Sequence, residues 1–342
     1  MKLKGAIIGC GFFSHNHMYA WKEIKNVEIV AACDLDKKKV SDFSKKFQLA
    51  NHYTNIDDLL NEENLDFVDV VTTMETHLSI AKILSKRKVP TSMQKPFAEN
   101  LVNAKKIVRL YQNTNTPLMV HENFRWQTPL MEVKKLEKKY NLKNPHYAKI
   151  SFRHANPVGY TNQTYLYDLE EYLILDVGIH LYDLSRFFLG EADSVYTVNQ
   201  NTNKKFKGET AFTSLVRHQN TGVSIIDASI SSIKTPDRFA QTLINIEYTN
   251  GSIDLDYDYK ITVHKKGIKK SHSANPKKLK WTSKPWDQIQ ESIANTHNHF
   301  ISCLRTKKIH DTSGVDNIKS LSLVFASYQS NKQRKEVKLN EK

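Results

Sequence analysis

Three residues carry side chains that can transfer a proton and lie in sequence patterns that could place them in a catalytic site: Lys95, Asp176 and His180. On a helix, Asp176, His180 and Asp183 would share one face, because they are spaced by four and then three positions. Imidazole titrates near neutrality, so a histidine can take a hydroxyl proton while a hydride leaves the same carbon. The Asp-x-x-x-His pair could also bind a metal, but no third ligand is convincingly spaced, and no metal is expected. A buried helix with structurally satisfied polar groups is the alternative.

Lys95 lies just after an apolar run, Val89–Met93, and precedes Pro96. If the run is a strand, the lysine reaches the carboxyl edge of a sheet, where it could hydrogen-bond a substrate hydroxyl or relay a proton. The bond before Pro96 can be cis and fix a sharp turn. Taken alone, Lys95 would be an ordinary surface residue, so its interpretation depends on the elements around it.

A glycine-rich turn predicts a nucleotide cofactor. Gly9, Gly11 and Ser14 form G-x-G-x-x-S between an apolar run and a helical stretch, which allows a pyrophosphate to approach helix N–H groups closely. Asp34 ends the next run about 20 residues later, which suits a carboxylate that accepts ribose hydroxyls and repels a 2′-phosphate. The sequence therefore favours NAD, with NADP less favoured. Within residues 1–122, the expected cofactor contacts are Gly9, Gly11, Phe12, Phe13, Ser14, Asp34, Thr72, Thr73, His77 and Lys95.

The elements that must position these residues change character near residue 122. Before it, short apolar runs alternate with helical patterns, which predicts an α/β domain with a doubly wound parallel sheet over residues 1–122. After it, runs in which apolar and polar residues alternate, together with an Asn250-Gly251 hairpin signal, predict an α+β domain with a large, mostly antiparallel sheet over residues 123–342. A helix is expected over Glu170–Leu189, and the lysine-rich segment His264–Lys284 is expected to be a loop.

Composition excludes several classes of protein. The three cysteines have unrelated spacings, which excludes a disulfide framework or a C-x-x-C site. No apolar stretch is long enough for a secretory signal or a membrane span, so a cytoplasmic protein without a membrane partner is expected. The formal net charge of +14 raises the possibility of an anionic partner. Eight lysines fall in His264–Lys284, outside the motifs, so surface composition is favoured over nucleic acid.

Taken together, Gly9–Ser14, Asp34, Lys95-Pro96 and the D-x-G-x-H-x-x-D run Asp176–Asp183 resemble the Gfo/Idh/MocA family, which includes glucose-fructose oxidoreductase and inositol dehydrogenase. The resemblance covers essentially the whole chain. It implies an N-terminal Rossmann domain that holds NAD(P) and a C-terminal open sheet whose outer face makes a homodimer or homotetramer.

The resemblance also assigns roles to individual residues. Lys95 matches the active-site lysine, Asp176 the substrate-binding aspartate and His180 the acid-base histidine. Asn123 and Arg125 occupy positions of cofactor or substrate contacts, and the segment His154-Ala155-Asn156-Pro157 is similar to one that reaches toward substrate. The implied substrate contacts are Lys95, Arg125, Trp126, His154, Asp176 and His180. The chain departs from the family at Gln94, where Glu is usual, at Met74, where Pro is common, and at Glu171–Leu175, where glycines are common.

The resulting expectation is an NAD-dependent dehydrogenase of carbohydrate metabolism that oxidises a secondary alcohol or hemiacetal of a sugar, sugar acid or cyclic polyol. One alternative keeps the chemistry but recycles a tightly held cofactor, which gives oxidoreduction or isomerisation without net NADH. An alternative of another class is a non-catalytic NAD-sensing or nucleic-acid-binding protein. The sequence leaves the identity of the sugar open.

Overall fold

A computed structural model of the chain describes residues 2–155 and 163–339. Its contacts form two compact units, and the first comprises the residues up to Asn123 together with Ile293–Lys319. The second comprises Phe124–Ser292 and the chain from Ser320 onward. Residues 293–319 thus join the first unit, where the Thr312 hydroxyl donates to the carbonyl of Val120 at 2.9 Å. The first unit therefore combines the chain up to Asn123 with one later segment.

The first unit contains the predicted parallel sheet. In the described part of the chain it has six strands in the order β3-β2-β1-β4-β5-β6, and all neighbouring pairs are parallel. Strand β1 thus lies between β2 and β4, which is the switch point where doubly wound sheets bind ligands. The strands are β1 (Leu3–Ile8), β2 (Val27–Cys33), β3 (Asn51–Tyr53), β4 (Phe67–Val70), β5 (Thr91–Gln94) and β6 (Leu118–His121).

Helices cover this sheet because each presents an apolar stripe to it. Three of them begin at side-chain caps: Asn55 caps α3, Asn100 caps α5, and Asp36 accepts from the N–H groups of Lys38 and Lys39 at the start of α2. These hydrogen bonds lower the pKa of Asp36. The helices are α1 (Ser14–Lys22), α2 (Lys37–Phe47), α3 (Ile56–Glu62), α4 (Met74–Lys86) and α5 (Leu101–Asn113).

The second unit contains the predicted, mostly antiparallel sheet. Its nine strands, counted over the described residues, run in the order β14-β13-β12-β11-β7-β10-β9-β8-β15, and β7 and β10 pair in parallel. The strands are β7 (Pro145–Arg153), β8 (Ala192–Gln200), β9 (Ala211–His218), β10 (Val223–Ser229), β11 (Leu243–Tyr248), β12 (Gly251–Asp256), β13 (Lys260–Lys265), β14 (Ile268–Ser273) and β15 (Val337–Lys338). The remaining helices are α6 (Thr128–Lys139), α7 (Ile179–Leu189), α8 (Asp287–Thr306) and α9 (Gly314–Gln333).

The prediction of a loop over His264–Lys284 is wrong in part. Strand β14 lies within this segment and pairs with β13 across a turn at Gly267, whose φ of 75° favours glycine. Most of β14 is exposed, so its sequence lacks the apolar alternation by which strands are recognised. Its lysines occupy the edge of the sheet, where positive charge discourages pairing with other chains. Part of the surplus charge therefore belongs to an edge strand. Among the described residues, no helix is long and apolar enough to cross a membrane.

Candidate active site

The glycine-rich turn of the first unit has the shape that a nucleotide requires. Gly9 has a φ of 97°, and a Cβ atom there would lie 2.6 Å from the carbonyl oxygen of Val71. At Gly11 an added Cβ would meet nothing within 4 Å, so the backbone there borders open space. Helix α1 begins at Ser14 without a side-chain cap. Its first N–H groups and the positive end of its dipole therefore suit the pyrophosphate of NAD.

Asp34 is tied to this turn by its own carboxylate. Oδ2 accepts the N–H of Cys10 at 2.7 Å, and Oδ1 accepts the N–H of Asp36 at 2.9 Å. Each oxygen has a further lone pair, so the Asp34 carboxylate can still accept hydrogen bonds from ribose hydroxyls, as predicted. Burial and the nearby Asp34 charge raise the pKa of both the Cys10 and the Cys33 thiols. These cysteines therefore act as small apolar residues rather than as nucleophiles.

The residues after β4 make contacts of a different kind. Thr72 lies against the turn, because a Cβ added to Gly9 would be 2.9 Å from its methyl group. Thr73 is the residue before α4, and its carbonyl accepts the hydroxyl of Thr76 at 2.8 Å. His77 is 1% exposed, and burial lowers its pKa to about 4. Its ring nitrogens lie 3.2 Å from the carbonyls of Phe97 and Thr72. These contacts favour a role in which His77 holds the segment at the cofactor edge in place and does not bind the cofactor directly.

Lys95 lies immediately after β5, at the carboxyl edge of the sheet. Its side chain is partly exposed, its bond to Pro96 is cis, and its backbone N–H donates to Oε1 of Gln94 at 2.7 Å. Asn123, another expected contact, follows β6 at the same edge and is 4% exposed. The first unit therefore places the glycine-rich turn, Asp34, Lys95 and Asn123 at one edge of one sheet.

In the second unit, Asp176 and His180 do not lie on one regular α-helix. Ile174–Gly178 forms a π-helical turn that carries Asp176, and α7 begins only at Ile179. The prediction of a helix over Glu170–Leu189 is therefore confirmed only in part: the helix begins at Leu173, and its first turn is π-helical rather than α-helical. Such π turns occur frequently at functional sites. Gly178 makes room for the ring of Phe212, which an added Cβ would meet at 3.1 Å.

His180 is held in a defined orientation. It is 4% exposed, and its ring stacks face to face on Phe124, with the ring centroids 3.9 Å apart and the planes at 1°. Asp176 is partly exposed on the preceding turn. The second unit thus presents a partly exposed carboxylate and a fixed imidazole on one segment of chain.

Sequence reasoning missed the residues that hold the π turn. Glu209 is 6% exposed, and its Oε1 accepts the N–H of Ile174 and the hydroxyl of Tyr328, both at 2.8 Å. Its Oε2 accepts the N–H of Tyr172 at 3.3 Å. The Tyr328 hydroxyl in turn accepts the N–H of Leu175 at 3.1 Å. No local pattern marks Glu209, because its partners are distant in sequence.

Arg125 and Asp183 form a buried ion pair. Nε and Nη2 of Arg125 donate to the two carboxylate oxygens of Asp183 at 2.5 and 2.7 Å. The Ser320 hydroxyl donates to the same carboxylate at 2.9 Å. Asp183 is fully buried and Arg125 is 8% exposed. Because His180 stacks on Phe124 and Asp183 pairs with the next residue, Arg125, both side chains face the same short segment, and the Asp183 carboxylate is taken up by the ion pair. Trp126, which follows, is partly exposed.

His154 lies just after β7 among aromatic rings. Its ring centroid lies 5.2 Å from that of Phe152 and 4.8 Å from that of Phe239. It is 2% exposed, and burial lowers its pKa to about 4, so it is neutral near pH 7. The rest of the segment predicted to reach toward substrate, Asn156-Pro157, lies outside the described residues.

Comparisons with known proteins cover nearly the whole chain. A family profile described as oxidoreductase family, NAD-binding Rossmann fold, matches residues 3–122, and that of the Gfo/Idh/MocA C-terminal domain matches residues 130–254. The D-apiose dehydrogenase of Rhizobium rhizogenes is 39% identical over 329 residues, which are 96% of this chain and 95% of that protein. The D-apiose dehydrogenase of Paraburkholderia graminis is 36% identical over 99% of this chain and 90% of that protein.

A solved structure gives the same result. An oxidoreductase from Agrobacterium radiobacter, in complex with NAD⁺, L-tartaric acid and magnesium, matches with a TM-score of 0.97 at 38% identity. The match covers 99% of each chain. The agreement thus extends through both the parallel sheet and the larger, mostly antiparallel one.

Proposed function

The chain belongs to the Gfo/Idh/MocA family of oxidoreductases, and from that premise we propose how its residues carry out an NAD-dependent oxidation of a sugar. It is an NAD-dependent dehydrogenase that acts on CH–OH groups. The observation that carries the cofactor assignment is the open backbone at Gly11, next to the uncapped start of α1. When bound, NAD supplies the hydride acceptor.

Three side chains divide the remaining chemistry in this proposal. His180 takes the proton of the substrate hydroxyl, and its stacking on Phe124 keeps the ring in one plane as it does so. Lys95 hydrogen-bonds the reacting oxygen and helps relay the proton. Asp176 accepts hydrogen bonds from the substrate hydroxyls and orients them. The surroundings of the substrate are formed in this proposal by Asn123, Arg125, Trp126 and His154. The ion pair with Asp183 fixes the Arg125 side chain, which makes Arg125 a positioning residue.

The substrate proposed first is D-apiose, or a sugar of similar size with vicinal hydroxyls. Two relatives that match nearly the whole chain carry the name D-apiose dehydrogenase. The similar Agrobacterium structure holds L-tartaric acid, a small molecule with two adjacent hydroxyls. Both observations favour a compact polyhydroxylated substrate over a large one.

The experiment is NAD reduction, followed by absorbance, against a panel of D-apiose, other pentoses, sugar acids and inositols. We expect D-apiose to give the highest kcat/KM and NAD to be preferred over NADP. Reduction of NAD by inositols alone would redirect the substrate assignment. Consumption of sugar without net NADH would favour the internally recycled cofactor.

We also propose a homo-oligomer in the cytoplasm, built through the large sheet of the second unit. Its outer face exposes apolar side chains on neighbouring strands: Tyr196 and Val198 on β8 are 40% and 48% exposed, and Leu215 on β9 is 38% exposed. Tyr196 and Leu215 are cross-strand partners, so their side chains form one patch. Light scattering coupled to size-exclusion chromatography tests this; a monomer at micromolar concentration would contradict it.

A further inference from the structure

A chain of hydrogen bonds runs through the core of the first unit to the backbone of Lys95. It begins at Asp69 on β4, which is fully buried and whose Oδ2 accepts from Trp21 Nε1 at 2.7 Å and from His17 Nδ1 at 2.8 Å. The other ring nitrogen of His17, Nε2, lies 3.2 Å from Nε2 of Gln94. Oε1 of Gln94 accepts the N–H of Lys95 at 2.7 Å.

The Gln94 amide determines which nitrogen of His17 carries the proton. Because Oε1 accepts from Lys95, the NH₂ end of the amide faces His17. An N–H donates only to a lone pair, so Nε2 of His17 must be unprotonated. The single proton of the neutral ring is therefore on Nδ1, where it is donated to Asp69. A second proton, on Nε2, would set two donors against each other and break the contact with Gln94.

Two further imidazoles face His17 from other elements. His121 at the end of β6 and His297 on α8 have ring centroids 4.3 and 5.0 Å from that of His17. Burial lowers the pKa of His297 to about 4, so it is neutral. Burial alone would raise the pKa of Asp69, but His17 and His297 hold it well below its usual range. The titratable groups that face His17 within the described part of the chain thus include the carboxylate of Asp69 and the imidazoles of His121 and His297.

The three histidines also offer nitrogens within 4.8 Å of one another, a spacing that a metal ion could use. Metal binding by His17 would, however, displace one of its two hydrogen bonds, either the one to Asp69 or the one to Gln94. Both bonds are already formed, and together they lead to Lys95. The geometry therefore favours a network that holds a proton over one that holds a metal.

We propose that Gln94 is a positioning residue for Lys95 and that it performs this role only while His17 is neutral. The proposal rests on the role of Lys95 proposed above. If His17 gains a second proton, Gln94 must turn its oxygen toward the ring, and the N–H of Lys95 loses its acceptor. A glutamate at this position would accept from both partners at once, so it would tolerate a charged His17. Glutamine in place of the usual glutamate thus links the placement of Lys95 to pH.

The test is the pH profile of kcat for the whole enzyme and its Gln94→Glu variant. We expect the acid limb of the profile to move to lower pH in the variant, so that its activity relative to wild type rises several-fold as the pH falls. Gln112→Glu, the same change at an exposed position of α5, is the matched control and should leave the limb in place. An acid limb that stays put in Gln94→Glu, or moves to higher pH, would overturn the proposal.

A spectroscopic readout separates this proposal from the proposed function. Imidazole ¹⁵N NMR should show His17 with its proton on Nδ1 in the wild type and doubly protonated in Gln94→Glu at the same pH. A proton on Nε2 in the wild type would refute the tautomer and with it the proposal. If the spectra agree but the rate profiles coincide, the network does not position Lys95. Full turnover of a Lys95→Met variant would instead contradict the proposed function.

Discussion

Two irregular turns carry the residues assigned to cofactor and substrate, and they are held in opposite ways. The turn at Gly9–Ser14 is fixed by acceptors at the end of the neighbouring strand β2. The Gly9 N–H donates to the carbonyl of Cys33 at 2.8 Å, and the Cys10 N–H donates to the carboxylate of Asp34. The π turn at Ile174–Gly178 depends on Glu209, 35 residues after Ile174, and on Tyr328, far along the chain.

The difference explains which turn the sequence reveals. A glycine that must adopt a positive φ leaves a local signature, so the cofactor turn is visible as a motif. The π turn contains no residue with a positive φ, so its anchors Glu209 and Tyr328 leave no local signature. A substitution in the cofactor turn should change the affinity for NAD, whereas a substitution in the π turn should change the rate of the chemical step.

The largest expected effect is on the second region. Replacement His180→Gln should lower kcat by about 10²–10⁴-fold, the usual contribution of a positioned acid-base group, while the Kd for NAD stays unchanged. Steady-state kinetics and NAD titration measure the two quantities. His146→Gln, an exposed histidine on β7, is the control and should retain full turnover. Equal loss of NAD affinity and rate in His180→Gln would erase the distinction between the two regions.

Two glycine substitutions sharpen the first region, because only one of the two sites is crowded. Gly11→Val places its side chain in open space where the pyrophosphate is expected, so it should raise the Kd for NAD by about tenfold or more, or ~1.4 kcal/mol, with little change in thermal stability.

Gly9→Ala is the matched comparison. Its φ of 97° and the 2.6 Å approach to Val71 should lower the free energy of unfolding by at least about 1–2 kcal/mol. Chemical denaturation checks this. A Gly11→Val variant as destabilised as Gly9→Ala would show that Gly11 serves the fold rather than the cofactor.

A smaller effect is expected where the π turn is anchored. Glu209→Gln leaves one amide oxygen as acceptor and sets an NH₂ group against a backbone N–H, which should lower the free energy of unfolding by about 1–3 kcal/mol. We expect kcat to fall several-fold at an unchanged Kd for NAD, because Asp176 lies on the turn that Glu209 holds. Glu247→Gln, on the exposed part of β11, is the control. Unchanged kcat in Glu209→Gln would mean that the turn keeps its form without this anchor.

The least disruptive change in this comparison is Tyr328→Phe, which removes one hydroxyl shared by Glu209 and the N–H of Leu175. Its expected cost is about 1 kcal/mol of stability, with a smaller decrease in kcat than Glu209→Gln gives. Measuring both variants and the double variant determines whether the two side chains act as one unit. Simple additivity would contradict the shared network.

Much of the fold follows from sequence patterns, because buried parallel strands and hairpin turns are encoded locally. The parallel sheet expected before residue 122 forms, and the Asn250-Gly251 hairpin joins β11 and β12 as predicted. The exposed edge strand β14 escaped prediction, since its lysines carry no apolar alternation. The parallel pairing of β7 with β10 also could not be predicted, because it depends on distant segments.

The candidate site was predictable only in part. Residue types and spacing make Lys95, Asp176 and His180 candidates, but they do not predict which side chains surround them. The pairing of Arg125 with Asp183 joins residues 58 positions apart, and no local rule links them. The departure at Gln94 was visible in the sequence, whereas its explanation required the contact with His17 across 77 positions.

The most direct test follows the hydrogen itself. D-Apiose deuterated at the carbon that is oxidised would be incubated with the enzyme and NAD, and the cofactor examined by mass spectrometry. We expect one deuterium in each NADH formed by the wild type, and deuterated NADH that accumulates about 10²–10⁴-fold more slowly in His180→Gln. Deuterium that returns to the sugar product without accumulating in NADH, or a sugar that leaves NAD unreduced, would contradict a dehydrogenase that releases its reduced cofactor.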